Sequence, residues 1–222
     1  MSIAQNLNKI KESIPDNITL VAVSKTKPIE DILEAYHSGQ KVFGENKIQE
    51  MVEKYEVLPK DIQWHMIGHV QTNKVKYMAS FVNLVHGVDS LKLLKEINKQ
   101  AQKVNRSIDC LLQIKIAEED TKFGLSVQDA KELIISQELK SLNNIKIVGL
   151  MGMATFTDNE EQIKKEFAKL KTVFDSLKEF KTENCLLQTI SMGMSGDYEI
   201  AIACGSNMIR VGSSIFGERN YN

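Results

Sequence analysis

Residues 18–44, ITLVAVSKTKPIEDILEAYHSGQKVFG, contain a full strand–helix–strand unit. Ile18–Ser24 is a near-continuous apolar run, as expected of a strand buried on both faces. Ile29–Tyr36 has helical period, and Lys41–Gly44 is a second β-rich run. The same alternation continues outward to the end of the chain. Further strand-like runs stand at Ile62–Ile67, Leu84–Val88, Ile108–Ile116, Ile145–Met151, Leu186–Met192 and Met208–Ile215. Helical segments separate them at Ile48–Tyr55, Asn73–Ala79, Leu91–Ala101, Val127–Leu139, Glu160–Leu177 and Asp197–Ala203. Ahead of the first strand, Ile3, Leu7, Ile10 and Ile14 form the stripe of a leading helix that Pro15 closes. Strict alternation implies parallel strands joined by right-handed crossovers. Eight such units point to an α/β fold, a single (β/α)8 TIM barrel with an extra N-terminal helix, with residues 1–222 forming one domain. An open doubly wound sheet is the competing arrangement, because periodicity alone does not close a barrel.

The composition is 42% hydrophobic and 26% charged, with 3 prolines among 222 residues, which excludes disordered and collagen-like classes. A formal charge of −1 provides no global basic field for nucleic acid or anionic lipid. The first residues lack the apolar stretch of a signal peptide, and the longest apolar runs are strand-sized. A cytoplasmic, monomeric protein is the expectation. Cys110, Cys185 and Cys204 form no C-x-x-C pair and read as reduced thiols.

In a barrel the chemistry belongs at the C-terminal ends of the strands. Ser24-Lys25-Thr26, Gly44-Glu45-Asn46, Asp89, Ser191 through Gly196 and Arg210 through Ser214 all fall there, and Lys122 and Gly124 follow the fifth strand. Lys25 follows a buried strand. It either carries its ammonium to water at the strand end or has its pKa lowered inside the barrel mouth and attacks a carbonyl. The glycine-containing loops after strands seven and eight mark the corner where barrel enzymes often bind phosphate. Arg210 sits between apolar neighbours and needs an acceptor, either a carboxylate or a ligand nitrogen. His65 and His69 are four apart, but Gly68 breaks any helix between them, so no metal site is expected. Glu118-Glu119-Asp120 reads as a solvated acidic turn.

Several blocks together resemble the pyridoxal phosphate homeostasis family: Val21 through Thr26, Phe43 through Asn46, Trp64 through Gly68 with Gln71 through Lys74, Gly149 through Met153, Ser191 through Ser195, and Ile209 through Gly217. The resemblance covers essentially the whole chain in the same order. It implies a barrel similar to the N-terminal domain of alanine racemase, binding pyridoxal 5′-phosphate and delivering it to apoenzymes, with no established turnover. By position, it implies that Lys25 forms the Schiff base and that Ser191, with the backbone of Gly212 and Ser213, cradles the phosphate. It also places Arg210 at the pyridine nitrogen and Asn46 on the ring side. Gln113 through Glu119 departs from the family's commoner pattern, with lysine and glutamate where asparagine and glycine are frequent. The alternative is a small racemase or lyase using Lys25 with a rim group such as Lys122 or His65. A third reading is a phosphate-binding barrel in which Lys25 is structural. Racemisation needs acid–base groups on both faces of the substrate, and nothing in the sequence places Tyr198 or Tyr221 opposite Lys25.

Overall fold

Each strand-like run pairs in parallel with the next, and the last pairs with the first. The computed structural model describes residues 2–119 and 123–218; Asp120, Lys122 and Tyr221 lie outside the described residues. The strands are β1 (Thr19–Val23), β2 (Val42–Glu45), β3 (Gln63–Met66), β4 (Leu84–Val88), β5 (Ile108–Gln113), β6 (Ile145–Met151), β7 (Cys185–Ser191) and β8 (Met208–Val211). They close in sequence order, with β8 against β1, so the open-sheet alternative is excluded. Outside the barrel lie α1 (Ile3–Ser13), α2 (Ile29–His37), α3 (Ile48–Val57), α4 (Leu91–Lys103), α5 (Val127–Ile135), α6 (Gln137–Lys140), α7 (Glu160–Leu177), α8 (Tyr198–Ala203) and α9 (Ser213–Phe216). The extra helix α1 is started by a Ser2–Gln5 capping box and buries Leu7 and Ile10. It packs against α2 and α9, and Asn6 Nδ2 donates to the Ile215 carbonyl at 3.0 Å. No described helix is long and apolar enough to cross a membrane.

Four segments differ from their sequence pattern, the fifth strand by stopping at Gln113 rather than Ile116. The crossover expected as a helix over 73–79 is a 3₁₀ segment at Thr72–Tyr77, whose larger rise per residue suits so short a connection. The single helix expected over 127–139 breaks at Ser136, whose hydroxyl accepts the Leu139 amide at 3.1 Å and starts α6. The eighth strand stops at Val211 rather than Ile215. Gly212 leaves the extended conformation there, and its carbonyl accepts from Ile215 and Phe216. Arg210 therefore stays in the strand, whereas Gly212 and Ser213 lie in the loop and the turn after it.

Period-two alternation divides each strand between two environments. Leu20, Ala22, Phe43, Trp64, Met66, Leu112, Ile190, Ile209 and Val211 belong to the layer between barrel and helices. Val21, Leu84, Leu111, Met151 and Met208 form a separate apolar cluster inside the barrel. Two residues further along the same strands stand His86, Gln113 and Arg210, so the interior turns polar toward the C-terminal rim. Gly149 allows β6 and β7 to close on each other, since a Cβ there would meet the Thr189 carbonyl oxygen at 1.9 Å. Gly149→Ala is expected to cost about 3 kcal/mol or more by forcing these strands apart, seen as a melting temperature lower by roughly 6–12 °C.

His65 and His86 are buried inside the barrel, where burial lowers the His65 pKa to about 3 and drives that of His86 well below the usual value. Both are neutral in the fold, while an unfolded histidine takes up a proton near pH 6.5. A depressed folded pKa therefore destabilises as pH falls below about 6.5, by up to about 1.4 kcal/mol per pH unit for each histidine until the folded pKa is reached. Denaturant unfolding at pH 7, 6 and 5 should show wild-type stability falling more steeply than that of His65→Gln. Parallel pH profiles would refute the assignment.

Candidate cofactor site

The C-terminal ends of the strands open onto a cavity of about 700 Å³, a size usual for small-molecule sites. Lys25, Asn46, Arg210, Gly212 and Ser213 all line it. Ser191 does not: it is 0% exposed, and its hydroxyl lies beneath the site, bonded to Arg210 and His86. On that part of the chain it is Ser195 that lines the cavity wall, its Oγ accepting the Gly212 amide at 3.1 Å.

Lys25 emerges from β1 on the inward parity of Val21 and Val23, which brings it to the barrel mouth. The backbone around it is clamped from the helix side. Lys54 on α3 is buried and donates to the Ser24 carbonyl (2.8 Å), Glu45 Oε1 (2.8 Å) and Glu50 Oε1 (2.7 Å), one bond for each of its hydrogens. Ser24 Oγ donates to Glu45 Oε1 at 2.6 Å. Thr26 is held at φ 64°, an unusual value for a β-branched residue, while its amide donates to Glu50 Oε1 at 2.5 Å. Burial pushes the Glu45 carboxyl up against the opposing pull of Lys54, and its Oε2 is buried without a hydrogen-bond partner among the described residues. The second lysine in the cavity, Lys27, donates to the carbonyls of Phe216, Gly217 and Glu218.

Asn46 follows the buried β2, and the chain after β3 runs hard against it. A Cβ on Gly68 would meet the Asn46 carbonyl oxygen at 2.4 Å, so only glycine lets these two rim segments approach. Arg210 lies inward on β8 and is 4% exposed. Its Nη1 donates to Ser191 Oγ at 2.6 Å and its Nη2 to the Gly152 carbonyl at 3.2 Å. Burial lowers its pKa to about 10, with Asp197 opposing, so it remains charged at neutral pH. Desolvation in turn raises the Asp197 carboxyl, which accepts the Met194 amide at 2.5 Å and shapes the loop carrying Ser195.

Sequence reasoning missed several lining residues. Gln113 ends β5 and donates to the Phe123 carbonyl at 2.8 Å; the sequence pattern carried this strand on to Ile116, which hid that position. His69 pairs with Asp89 at 3.4 Å and stacks on Phe123. Thr155 through Asp158 form the opposite lip, ordered by the buried Glu166, which accepts from the Thr155 amide and hydroxyl and from the Glu118 amide. No pattern in the sequence marked that carboxylate, because it lies on a helix rich in Glu and Lys. Tyr198 lines a different, neighbouring cavity. Among the described residues no group of three or more His, Cys, Asp or Glu could hold a metal ion.

A fixed guanidinium, a lysine at the mouth and a corner of backbone amides and serine hydroxyls fit a small phosphorylated aldehyde. Gly212 adds to this fit, because a Cβ there would press on Val23 at 3.2 Å and narrow the corner. The model of the alanine racemase N-terminal domain matches residues 1–220. A pyridoxal phosphate homeostasis protein of Aquifex aeolicus is 42% identical over 203 residues, covering 91% of this chain and 87% of that one. The Escherichia coli K12 protein of the same name is 34% identical, covering 99% and 98%. PipY of Synechococcus elongatus, solved with pyridoxal phosphate (PLP) bound, superposes with a TM-score of 0.87 at 32% identity and covers 97% of this chain and all of its own. Alanine racemase of Clostridium difficile, at 18% identity and a TM-score of 0.80 over 60% of its length, shares the fold. The family model over residues 1–220 and homeostasis proteins at 34–42% identity over most of both chains place this chain in the pyridoxal phosphate homeostasis family, within the alanine racemase N-terminal domain family.

Proposed function

We propose that this protein binds pyridoxal 5′-phosphate as a Schiff base on Lys25 and serves in holding and delivering the cofactor rather than in turnover. The observation that carries the reading is the presence of Lys25, Arg210, Ser195, Gly212 and Ser213 around one cavity at the β1–β8 seam. When bound, the cofactor supplies an aldehyde that condenses with a lysine amine, releasing water. The Ser213 backbone and the Ser195 hydroxyl would hold the phosphate, with Gly212, whose own amide donates to Ser195 Oγ, keeping the corner open, and Asn46 would line the ring side. Arg210 would face the ring nitrogen, where its fixed positive charge disfavours a further proton and so weakens carbanion stabilisation. Acid–base work at an α-carbon also needs a group on each face. Among the described residues lining the cavity, no tyrosine stands opposite Lys25. Pyridoxal-phosphate-dependent apoenzymes are the proposed recipients.

Borohydride reduction of the protein loaded with pyridoxal 5′-phosphate, followed by peptide mapping, should place the added mass on Lys25 and show none in Lys25→Ala. An adduct wholly on Lys27 or Lys74 would overturn the assignment. Ser195→Ala removes a hydroxyl from the phosphate corner and should weaken binding of the phosphorylated cofactor about ten- to a hundredfold, with a much smaller effect on pyridoxal. Equal losses for the two ligands would remove Ser195 from that corner. In deuterated buffer the loaded protein should pass its cofactor to an apoenzyme without α-hydrogen exchange of common amino acids. Exchange at about 1 s⁻¹ or faster that disappears in Lys25→Ala would establish the racemase or lyase reading instead.

A further inference from the structure

We infer that Ser191, His86 and His65 form a one-directional chain of hydrogen bonds that fixes the Arg210 guanidinium in the cavity wall, making them positioning residues for the proposed ring-nitrogen contact. The link to the ring rests on the cofactor reading above; the direction of the chain does not.

The direction follows from counting hydrogens. A guanidinium only donates, so Arg210 Nη1 gives its hydrogen to Ser191 Oγ across 2.6 Å. Ser191 is 0% exposed, and its own hydroxyl hydrogen must find an acceptor inside the barrel. His86 Nδ1 stands 3.1 Å from that oxygen. If Nδ1 accepts, the hydrogen of a neutral His86 is on Nε2, 3.1 Å from His65 Nδ1. His65 Nδ1 is then also an acceptor, and both rings are Nε2–H tautomers. In the reverse direction His86 Nδ1–H and Arg210 would fill both lone pairs of Ser191 Oγ, leaving the buried hydroxyl hydrogen without an acceptor among these groups. A charged His86 would set a second cation behind Arg210 with only Ser191 between them. Burial, and secondarily His65 and Arg210, disfavours that charge.

The chain passes from β8 to β7, crosses the interior to β4 and ends on β3. A second anchor, the Gly152 carbonyl just after β6, takes Nη2 at 3.2 Å. Asp197, from the loop before α8, is the carboxylate acting on Arg210 from the rim. The guanidinium is thus gripped by two neutral acceptors at the wall of the cavity it lines. Ser191 acts on the ligand only through Arg210.

The test has two arms. In protein labelled with ¹⁵N histidine and without added ligand, long-range proton–nitrogen correlation spectra should show His65 and His86 as neutral Nε2–H tautomers, unchanged from pH 8 to pH 5. An Nδ1–H tautomer or a charged ring at His86 overturns the chain whether or not the cofactor reading stands. In the second arm, Ser191→Ala and His86→Phe are titrated with pyridoxal 5′-phosphate and with pyridoxal. Both variants should lose about tenfold in affinity for each ligand alike and shift the absorbance maximum of the bound chromophore, while borohydride still labels Lys25. A loss confined to the phosphorylated ligand would make Ser191 a phosphate contact, and wild-type affinity with an unshifted spectrum would show that Arg210 needs no such support. Absence of any Lys25 label in the wild type would fail the cofactor reading, while the tautomers still decide the chain.

Discussion

Four residues of β8, Met208 to Val211, pair in parallel register with Thr19 to Ala22 of β1, and the rest of the structure depends on that seam. It satisfies the backbone of what would otherwise be two sheet edges. It also sets Val21 opposite Arg210, so the loop after Arg210 lies beside the loop carrying Lys25. The two residues are 185 positions apart in sequence. The site therefore exists only while the barrel is closed, and loss of closure separates its lysine from its arginine.

Closure also determines where polar groups can go. Val21, Leu84, Leu111, Met151 and Met208 make an apolar layer inside the barrel, and the same parity two residues further along three of these strands carries His86, Gln113 and Arg210. Buried polar groups are costly without partners, and around Arg210 and the turn at Lys25 those partners come in two connected sets. Inside the barrel, Arg210, Ser191, His86 and His65 are linked to one another. Outside it, Lys54 joins Ser24, Glu45 and Glu50 behind the turn at Lys25 and Thr26. The first set holds a charge at the inner wall, and the second holds the backbone that carries the lysine.

The two lips of the cavity are less regular. Glu166 reaches from α7 to hold Thr155, and Gln113 reaches back to Phe123, so both are built from contacts between loops and neighbouring elements. Gln113 lies on this side, whereas Lys25, Asn46, Arg210, Gly212 and Ser213 surround the other part of the cavity.

The sequence by itself determined the element order and the parallel α/β class, because apolar runs alternating with helical segments have few ways to bury both faces of eight strands. The β8–β1 pairing that closes the barrel was decided by the tertiary structure. It also placed Lys25, Asn46 and Arg210 at strand ends, and Gly212 and Ser213 just beyond one, since rim position follows from element boundaries. Only the tertiary structure decided which way Arg210 faces, because apolar neighbours on both sides leave the parity of a strand undetermined until its pairing is known. Ser191 ends β7 and Ser195 lies four residues on in the following loop; the resemblance pointed to Ser191, whereas the hydroxyl at the cavity wall is that of Ser195. Closure of the barrel turns Ser191 inward beneath Arg210 and leaves Ser195 at the wall, because a strand residue points along the pleat while a loop residue goes where its backbone bonds hold it.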